Sequence, residues 1–416
     1  MHRAMCLIGL ALATFAFEPK SIASDTPLTL AGAVELAVSR DDPSVIEYKA
    51  QARSQRDLAG AQAQLPDPKV RFGIANLATD SFNFNQEQMT QLQLGLHQTI
   101  PTAGRRKYAR ARSEAQGDAF DQMAETRKLL LVLEVQKLWL KTYNSQSTRT
   151  VLDAKKRELA ELLDALGANY EGGRSAAQNI LSMEAEFALL EDRLQEIEQH
   201  EHTFRAMLTR FLGDGEAGKP LSGTYDDIGS PAALAVLEQD IGEHPALMQE
   251  QSRIRASDHS VSLAKESYKP NWGVDVGYGY RASGRADFAS AMVTLDVPIF
   301  TAKRQDKRLS AAKEARQAAK LKMQAKELDM IAQLRSTYAV WRKTTERIRL
   351  YETIVLQRTK SASEATENAY SAGAADFAEV IRTHIAELDA RLRLEGIRLE
   401  NALARAELSY FAGVDQ

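Results

Sequence analysis

Apolar residues along this 416-residue chain recur with two different periods. Four short segments alternate apolar and polar residues, a period of two that predicts β-strands. Their approximate ranges are 70–77, 89–98, 272–280 and 289–298. Longer proline-free segments repeat apolar residues every seven positions, which predicts supercoiled helices. Their approximate ranges are 104–170, 176–212, 304–370 and 376–412. The pattern therefore predicts a mainly α-helical protein with a small β part.

The same elements occur twice in the same order, roughly 200 residues apart. Landmarks at this offset are Tyr170 with Tyr370, Gly173 with Gly373, Phe211 with Phe411 and Gly213 with Gly413. Earlier landmarks are offset by two further residues, and we expect the loop near residues 78–90 to absorb that difference. This period is far longer than that of solenoid repeats. We predict a first repeat at residues 25–213, a linker at 214–233 and a second repeat at 234–416.

The seven-residue step identifies helix positions that should be buried. In the long helix of the first repeat it runs through Leu131, Leu138, Leu152, Leu159 and Leu166, with Ser145 as the exception. In the second repeat it runs unbroken through Leu334, Trp341, Ile348, Val355, Ala362 and Ala369. Each returning helix carries two such rows, and Glu387 interrupts one of them where the first copy has Phe187. We expect knobs-into-holes packing between these helices.

The alternating segments have the length of a tilted strand that crosses an outer membrane, with one apolar and one polar face. The side chains assigned to the polar, lumen-facing side are Gln91, Gln93, His97, Asp275, Thr294 and Asp296. A soluble sheet packed on a helix is the alternative, but the neighbouring heptad helices offer no separate apolar face to cover it. Four strands cannot close a barrel, and open edges do not persist in hydrocarbon. We therefore expect two, three or four chains to share one barrel.

The N-terminus indicates the compartment in which the protein works, and the composition limits the kinds of partner that it can bind. Residues 1–24 indicate an export signal, because their apolar core is shorter than the roughly 20 residues of a membrane-anchor helix, which is the alternative. Cys6 is the only cysteine and lies inside this segment, so no disulfide is expected. Arg3-Ala4-Met5 before it is a poor match to a bacterial lipid-attachment box, so we expect no lipid anchor. A net charge of −3 gives no basic field for nucleic acid. We predict no catalytic residues, no cofactor and no metal site.

Three segments carry a family resemblance that covers essentially the whole mature chain. They are Gln98 to Arg106 (QTIPTAGRR), where the second strand turns into the long helix, and the hairpin tips Tyr170 to Leu181 and Tyr370 to Ile381. With these segments the chain resembles the TolC-like outer membrane factors, the exit ducts of bacterial efflux and secretion systems. In that family each tip has an aromatic residue, a glycine turn, and an acidic residue followed by a branched apolar one. Glu379-Val380 matches the last pair, whereas Asn179-Ile180 replaces it in the first repeat.

The resemblance implies an architecture and a set of partners. It implies a homotrimer with a 12-stranded β-barrel in the outer membrane lipid of a Gram-negative bacterium, continuing into an α-helical periplasmic tunnel. A periplasmic adaptor (membrane fusion) protein would join it to an inner-membrane pump of the resistance-nodulation-division class. The implied aperture residues are Glu379, Asn179 and Arg382. The implied adaptor-docking tips are Gly172, Gly173, Arg174, Ala372, Gly373 and Ala374. Without the resemblance, Glu379 is simply an exposed helix charge.

The expected function is a passive conduit that is not an enzyme. Within the family, the QTIPTAGRR segment and the short ends look most like the heavy-metal cation efflux branch. Drug efflux and type I protein secretion are the alternatives inside the family. A self-contained porin and a periplasmic coiled-coil scaffold are the alternatives outside it.

Overall fold

The computed structural model describes residues 26–171, 177–281 and 284–413. The segment predicted to be an export signal, with Cys6, lies outside these ranges. Two runs of elements follow one another in the same order. The first comprises α1 (Leu30–Ser39), α2 (Pro43–Gln62), β1 (Lys69–Ala75), β2 (Gln91–Ile100), α3 (Ala103–Glu171) and α4 (Ala177–Leu212). The short helix α5 (Asp214–Ala217) and the 3₁₀ turn Tyr225–Ile228 lie between the two runs.

The second run repeats this order with one interruption. It comprises α6 (Leu234–Asp240), α7 (Pro245–Glu266), β3 (Asn271–Tyr280), β4 (Phe288–Asp296), α8 (Gln305–Leu350), a π-helical turn at Tyr351–Val355, α9 (Leu356–Ser371) and α10 (Phe377–Ala412). The predicted fold class, long helical hairpins combined with two β-hairpins in a duplicated unit, is confirmed. No helix in the described part of the chain is long and apolar enough to cross a membrane.

The four strands form one antiparallel sheet in the order β1-β2-β3-β4. The central β2–β3 pair joins the two runs of elements, with Leu94 opposite Tyr278 and His97 opposite Asp275. Because residues directly opposite one another share a face, this register sorts the side chains into two faces. β1 and β4 are the edge strands, and each has only one neighbour in the chain.

One face of the sheet is apolar and bare. Phe72 is 75% exposed, Leu94 54% and Val293 63%. The other large exposed side chains of this face are Val70, Ile74, Leu96, Ile100, Trp272, Val274, Val276, Tyr278, Tyr280 and Leu295. No helix of the described chain covers this face, so the helical core and the sheet are separate parts of the molecule.

The helices pack side by side in a layer. Toward the sheet the order is α2-α3-α7-α8, and toward the hairpin tips it is α4-α3-α10-α9. The core between α1, α3, α4 and α10 centres on Trp139, which is fully buried and donates its indole N–H to the carbonyl of Leu28 at 3.2 Å. A second core joins α3 and α4 to α10 nearer the tips, and a third joins α6, α7, α8 and α10. One open edge of the layer is therefore formed by α2 and α4, and the other by α8 and α9.

The buried row of α3 follows the predicted seven-residue step. Leu131, Leu138, Leu152 and Leu159 are all buried, while the side chain of Leu166 lies outside the described part. Ser145, the exception, is also buried, because its hydroxyl donates to the carbonyl of Lys141 at 3.1 Å. A serine whose hydroxyl is hydrogen-bonded to a carbonyl of its own helix can occupy a core position without leaving an unpaired polar group.

The prediction of an unbroken step in the second repeat is wrong. Leu334 is buried, but farther along Ala362 is exposed and Ser363 is buried in its place. The π turn lies between these positions and takes one more residue than an α-helical turn. The sequence agrees: Thr102-Ala103-Gly104 recurs as Thr301-Ala302-Lys303 at an offset of 199, whereas the tip tyrosines are 200 apart. The segment from Thr301 to Tyr370 is therefore one residue longer than the segment from Thr102 to Tyr170.

The connections between the strands differ in length between the two runs. The β1–β2 loop, residues 76–90, is longer than the β3–β4 loop, residues 281–287, as expected. However, the segment 297–304 between β4 and α8 is longer than the two residues between β2 and α3. The offset between the repeats nevertheless falls from 202 at Pro68 and Pro270 to 199 at Thr102 and Thr301, across the hairpins, and the π turn brings it to 200 at the tips.

We predict that deleting Thr353 converts the π turn into a regular helix and leaves the thermal midpoint nearly unchanged. Deleting the matched residue Asp153 from α3 should instead rotate all later residues by about 100° and take Leu159 out of the core, a loss of about 2–5 kcal/mol. Circular dichroism melts of the two detergent-extracted variants measure the difference. Equal destabilisation by both deletions would contradict this account of the π turn.

Candidate functional site

The polar face of the sheet carries all six residues assigned to the lumen. The register places Gln91, Gln93, His97, Asp275, Thr294 and Asp296 on the same face, opposite the bare apolar one. A hollow of about 820 Å³ lies on this side, lined by polar-face residues from all four strands. In a closed barrel this polar face would form the inside of the cylinder.

A charge network crosses this face near the helical end of the sheet. Arg71 of β1 forms an ion pair with Asp275 of β3. His97 lies between them, with Nδ1 2.9 Å from Asp275 Oδ1 and Nε2 3.2 Å from the hydroxyl of Thr99. Glycines on the same face, such as Gly95 opposite Gly277, leave room around these side chains. The network neutralises Asp275 and links three strands.

The second hairpin tip is a glycine-dependent turn. Gly373 has φ +70°, and its N–H donates to the carbonyl of Tyr370 at 2.9 Å, while the N–H of Ala374 donates to Ala369 at 2.8 Å. This left-handed residue closes the C-terminus of α9, a conformation that favours glycine. Ala372, Gly373 and Ala374 are exposed. The corresponding residues of the first tip, Gly172, Gly173 and Arg174, lie outside the described residues.

The aperture candidates lie in the first turns of two helices. Glu379 and Arg382 are exposed on α10, and Asn179 is half-buried on α4. The backbone N–H of Glu379 donates to Asp376 Oδ1 at 2.9 Å, so Asp376 caps α10. Phe377 is buried and packs edge-on against Tyr370 with ring centroids 5.5 Å apart. A negative charge in a first helical turn is also favoured by the helix dipole.

Asp376 is a tip carboxylate that the sequence reasoning missed. The sequence does contain a signal for it, because an acidic residue three positions before a glutamate, here Glu379, is the pattern of a helix N-cap. Asp376 is exposed beside Glu379, so the second hairpin tip carries two adjacent carboxylates near Arg382. The sequence prediction counted only Glu379 as the acidic residue here.

A buried ionic cluster lies behind the tip, between α3 and the α9–α10 hairpin. Lys155 and Glu158 come from α3, and Glu367 from α9, while α10 contributes His384 and Glu387. The ammonium of Lys155 is 2.8 Å from Glu158, 3.3 Å from Glu387 and 2.7 Å from His384 Nδ1. Hydrogen bonding to His384, reinforced by Lys155, lowers the pKa of Glu158 to about 2 in spite of its partial burial.

The sequence pattern gave only part of this cluster. Glu387 was taken as an interruption of an apolar row, and its 4% exposure shows that the row continues as an ion pair. Lys155 lies three residues after Leu152 and four before Leu159, on the buried face of α3. A lysine at such a position should have suggested a buried acidic partner.

The second half of the chain matches a known protein family. Residues 236–414, which contain β3, β4 and the second helical hairpin, match the family described as outer membrane efflux protein. That family consists of channels, so the prediction that the chain is not an enzyme is confirmed. No protein of curated function matches the sequence significantly.

Solved structures share the fold over nearly the whole chain. CusC, studied for its folding and transmembrane channel formation, superposes with a TM-score of 0.80 at 14% identity and covers 92% of both chains. The outer membrane protein VceC of Vibrio cholerae gives 0.77 at 15% identity, covering 92% of this chain and 96% of its own. The outer-membrane channel OprN gives 0.78 at 16% identity, covering 92% and 89%. These likenesses establish the fold, and with the family match they support the TolC-like resemblance.

Glu158 should make stability depend on pH. Its folded pKa of about 2 lies below the ordinary 4.5, so its contribution is present above pH 4.5 and is lost as the pH falls toward 2. Because the side chain is 45% exposed, we discount the effect for solvent screening to about 1 kcal/mol. Urea unfolding at pH 6 and pH 3 should show the wild type losing about this much more than Glu158→Gln.

The matched control is Asp153→Asn, which removes an exposed carboxylate of the same helix, 3.7 Å from Arg149. This control should keep the wild-type difference between the two pH values. If Glu158→Gln and the wild type lose the same free energy of unfolding, Glu158 does not stabilise the cluster.

Proposed function

We propose that this chain, whose second half matches the outer membrane efflux protein family and whose fold is that of outer membrane channels throughout, is the outer membrane channel of a tripartite efflux system. The observation that carries the proposal is the sheet, which has a bare apolar face, a polar face and two unpaired edges. The channel would give cargo a passive path, with energy supplied by an inner-membrane pump.

The bare face supports insertion into lipid. Burying an apolar side chain contributes about 25 cal/mol per Å² removed from water, so leaving thirteen large ones exposed in water would be costly. A contiguous exposed apolar surface of this kind marks a contact with a membrane or a partner. Opposite it, the charged and amide side chains suit a water-filled lumen. A periplasmic scaffold has no need for this division of faces.

The open edges support assembly from several copies. β1 and β4 can pair only with other chains, and the helical layer ends in α2 and α4 on one side and in α8 and α9 on the other. Both helical edges carry exposed apolar side chains, Leu181, Leu189 and Met207 on α4 and Leu321, Leu328 and Val340 on α8. Three copies, the number that the family resemblance implies, give twelve strands and close the sheet and the helical layer together.

The hairpins place the tips far from the sheet. α3 has 69 residues and is about 100 Å long at 1.5 Å per residue. With the barrel in the outer membrane, the tips would lie deep in the periplasm. Exposed Ala372, Gly373 and Ala374 would dock the adaptor, and Glu379 with Asn179 and Arg382 would surround the aperture. A self-contained porin has no need for such hairpins.

Heavy-metal cations are the cargo that the sequence favours. The QTIPTAGRR segment supports this branch, and a ring of Glu379 carboxylates would attract cations. Drug efflux and type I secretion use the same architecture, and the structural likenesses, all at low identity, apply equally to each.

The decisive test compares two adjacent positions on opposite faces of β2. Leu94→Arg places a charge on the proposed lipid face, which costs about 2–4 kcal/mol at the bilayer midplane. Gln93→Arg places the same charge on the proposed lumen face. We expect Leu94→Arg to abolish outer membrane assembly, measured by membrane fractionation, and Gln93→Arg to assemble. Equal assembly of both variants would overturn the proposed membrane insertion.

A second experiment tests the aperture. Glu379→Gln should reduce the preference for cations, measured as a shift of the reversal potential in planar bilayers under a salt gradient. The control is Glu364→Gln, because Glu364 is an exposed acid on α9 that is paired with Lys360 away from the tip. An unchanged reversal potential for Glu379→Gln would remove this residue from the constriction.

A further inference from the structure

We propose that the buried cluster of Lys155, Glu158, Glu367, His384 and Glu387 is a binding site for a divalent transition-metal cation, whose position the ammonium of Lys155 holds when no metal is bound. This inference does not depend on the channel assignment, because it concerns only how these side chains are arranged.

The cluster has the geometry of a cation cage. Nζ of Lys155 is surrounded by His384 Nδ1 at 2.7 Å, Glu158 Oε1 at 2.8 Å and Glu387 Oε2 at 3.3 Å. Ligand atoms of Glu158, His384 and Glu387 all lie within 4.8 Å of one another, the one such group in the described ranges. An imidazole nitrogen with two carboxylate oxygens is a donor set that suits Zn²⁺ or Co²⁺ with water as a fourth ligand.

The far side of the histidine also fits a metal ligand. Nε2 of His384 is buried without an aligned hydrogen bond, although Oε1 of Glu367 lies only 2.6 Å away. Glu367 is 45% exposed, so a small rotation of its carboxylate would align the bond. Metal-bound histidines usually donate their second ring N–H to such a carboxylate. With an ion bound, the proton would sit on Nε2, and Nδ1, which otherwise lies 2.9 Å from Glu158 Oε1, would direct its lone pair to the ion.

The charge balance favours an additional positive charge. Three carboxylates, those of Glu158, Glu367 and Glu387, face two cations, Lys155 and Arg391, which pairs with the outer oxygen of Glu387. One of the three carboxylates is therefore not matched by a lysine or an arginine of the cluster. His384 is 1% exposed and Glu387 4%, and excess charge at such depth is unfavourable. A divalent ion in place of the monovalent ammonium supplies the missing charge.

A path to solvent exists on one side of the cage. Glu158 and Glu367 are each 45% exposed, whereas Lys155, His384 and Glu387 are buried beneath them. The flexible stem of Lys155 allows its ammonium to withdraw as the ion enters. A bound ion would join α3 to the first turns of α10, only five residues beyond Glu379.

The experiment titrates the full-length, detergent-extracted protein with Co²⁺, whose visible absorption reports inner-sphere nitrogen and oxygen ligands. Lys155→Met removes the competing ammonium and keeps the apolar stem. We expect this variant to bind one Co²⁺ per chain roughly tenfold more tightly than the wild type, and the further change His384→Gln to weaken binding by roughly tenfold or more. The control His202→Gln, which removes a histidine that is 77% exposed on α4, should leave binding unchanged.

Two results would overturn the inference. One is a Co²⁺ spectrum of Lys155→Met that is unaffected by His384→Gln, since the ion would then be bound elsewhere. The second uses no variant: wild-type crystals soaked in Zn²⁺ should give an anomalous-scattering peak between Glu158, His384 and Glu387. Absence of that peak would exclude the site even if Lys155→Met failed to fold.

Discussion

The architecture of this chain depends on the unpaired backbone hydrogen-bonding groups along β1 and β4. Each edge presents N–H and C=O groups that must find partners in water or in another strand, and in hydrocarbon only another strand is available. The apolar face next to these edges is exposed in the single chain, so water is an unfavourable surrounding for the sheet as well. In the proposed channel both problems are solved together, because neighbouring copies would complete the sheet within a lipid bilayer.

The helical layer follows from the same constraint. Its core is already well packed within one chain around Trp139, Leu152 and Leu159, so the chain can fold before it assembles. Its outer helices at the sheet end, however, are connected to the two edge strands, because α2 precedes β1 and α8 follows β4. Closing one layer therefore closes the other. The tips, anchored by Phe377 and capped by Asp376, are held at the end farthest from the sheet.

Much of this fold could be predicted from periodicity alone. The period of two located all four strands and sorted Gln93 from Leu94 onto opposite faces, because side-chain direction alternates strictly along a strand. The period of seven located the buried row of α3. It failed beyond Trp341, where a single inserted residue shifts the buried row by one position. Ala362 and Ser363 are both small, so the sequence does not show which of the two is buried. The Lys155 cluster was missed because its members come from three helices and only meet in three dimensions.

The central claim is that several copies of this chain complete one channel, and native mass spectrometry of the protein released from detergent tests it most directly. The account predicts a single assembly of three chains that persists at dilution, since strand pairing and apolar helix edges both hold the copies together. A spectrum dominated by single chains from protein that is folded by circular dichroism would contradict it.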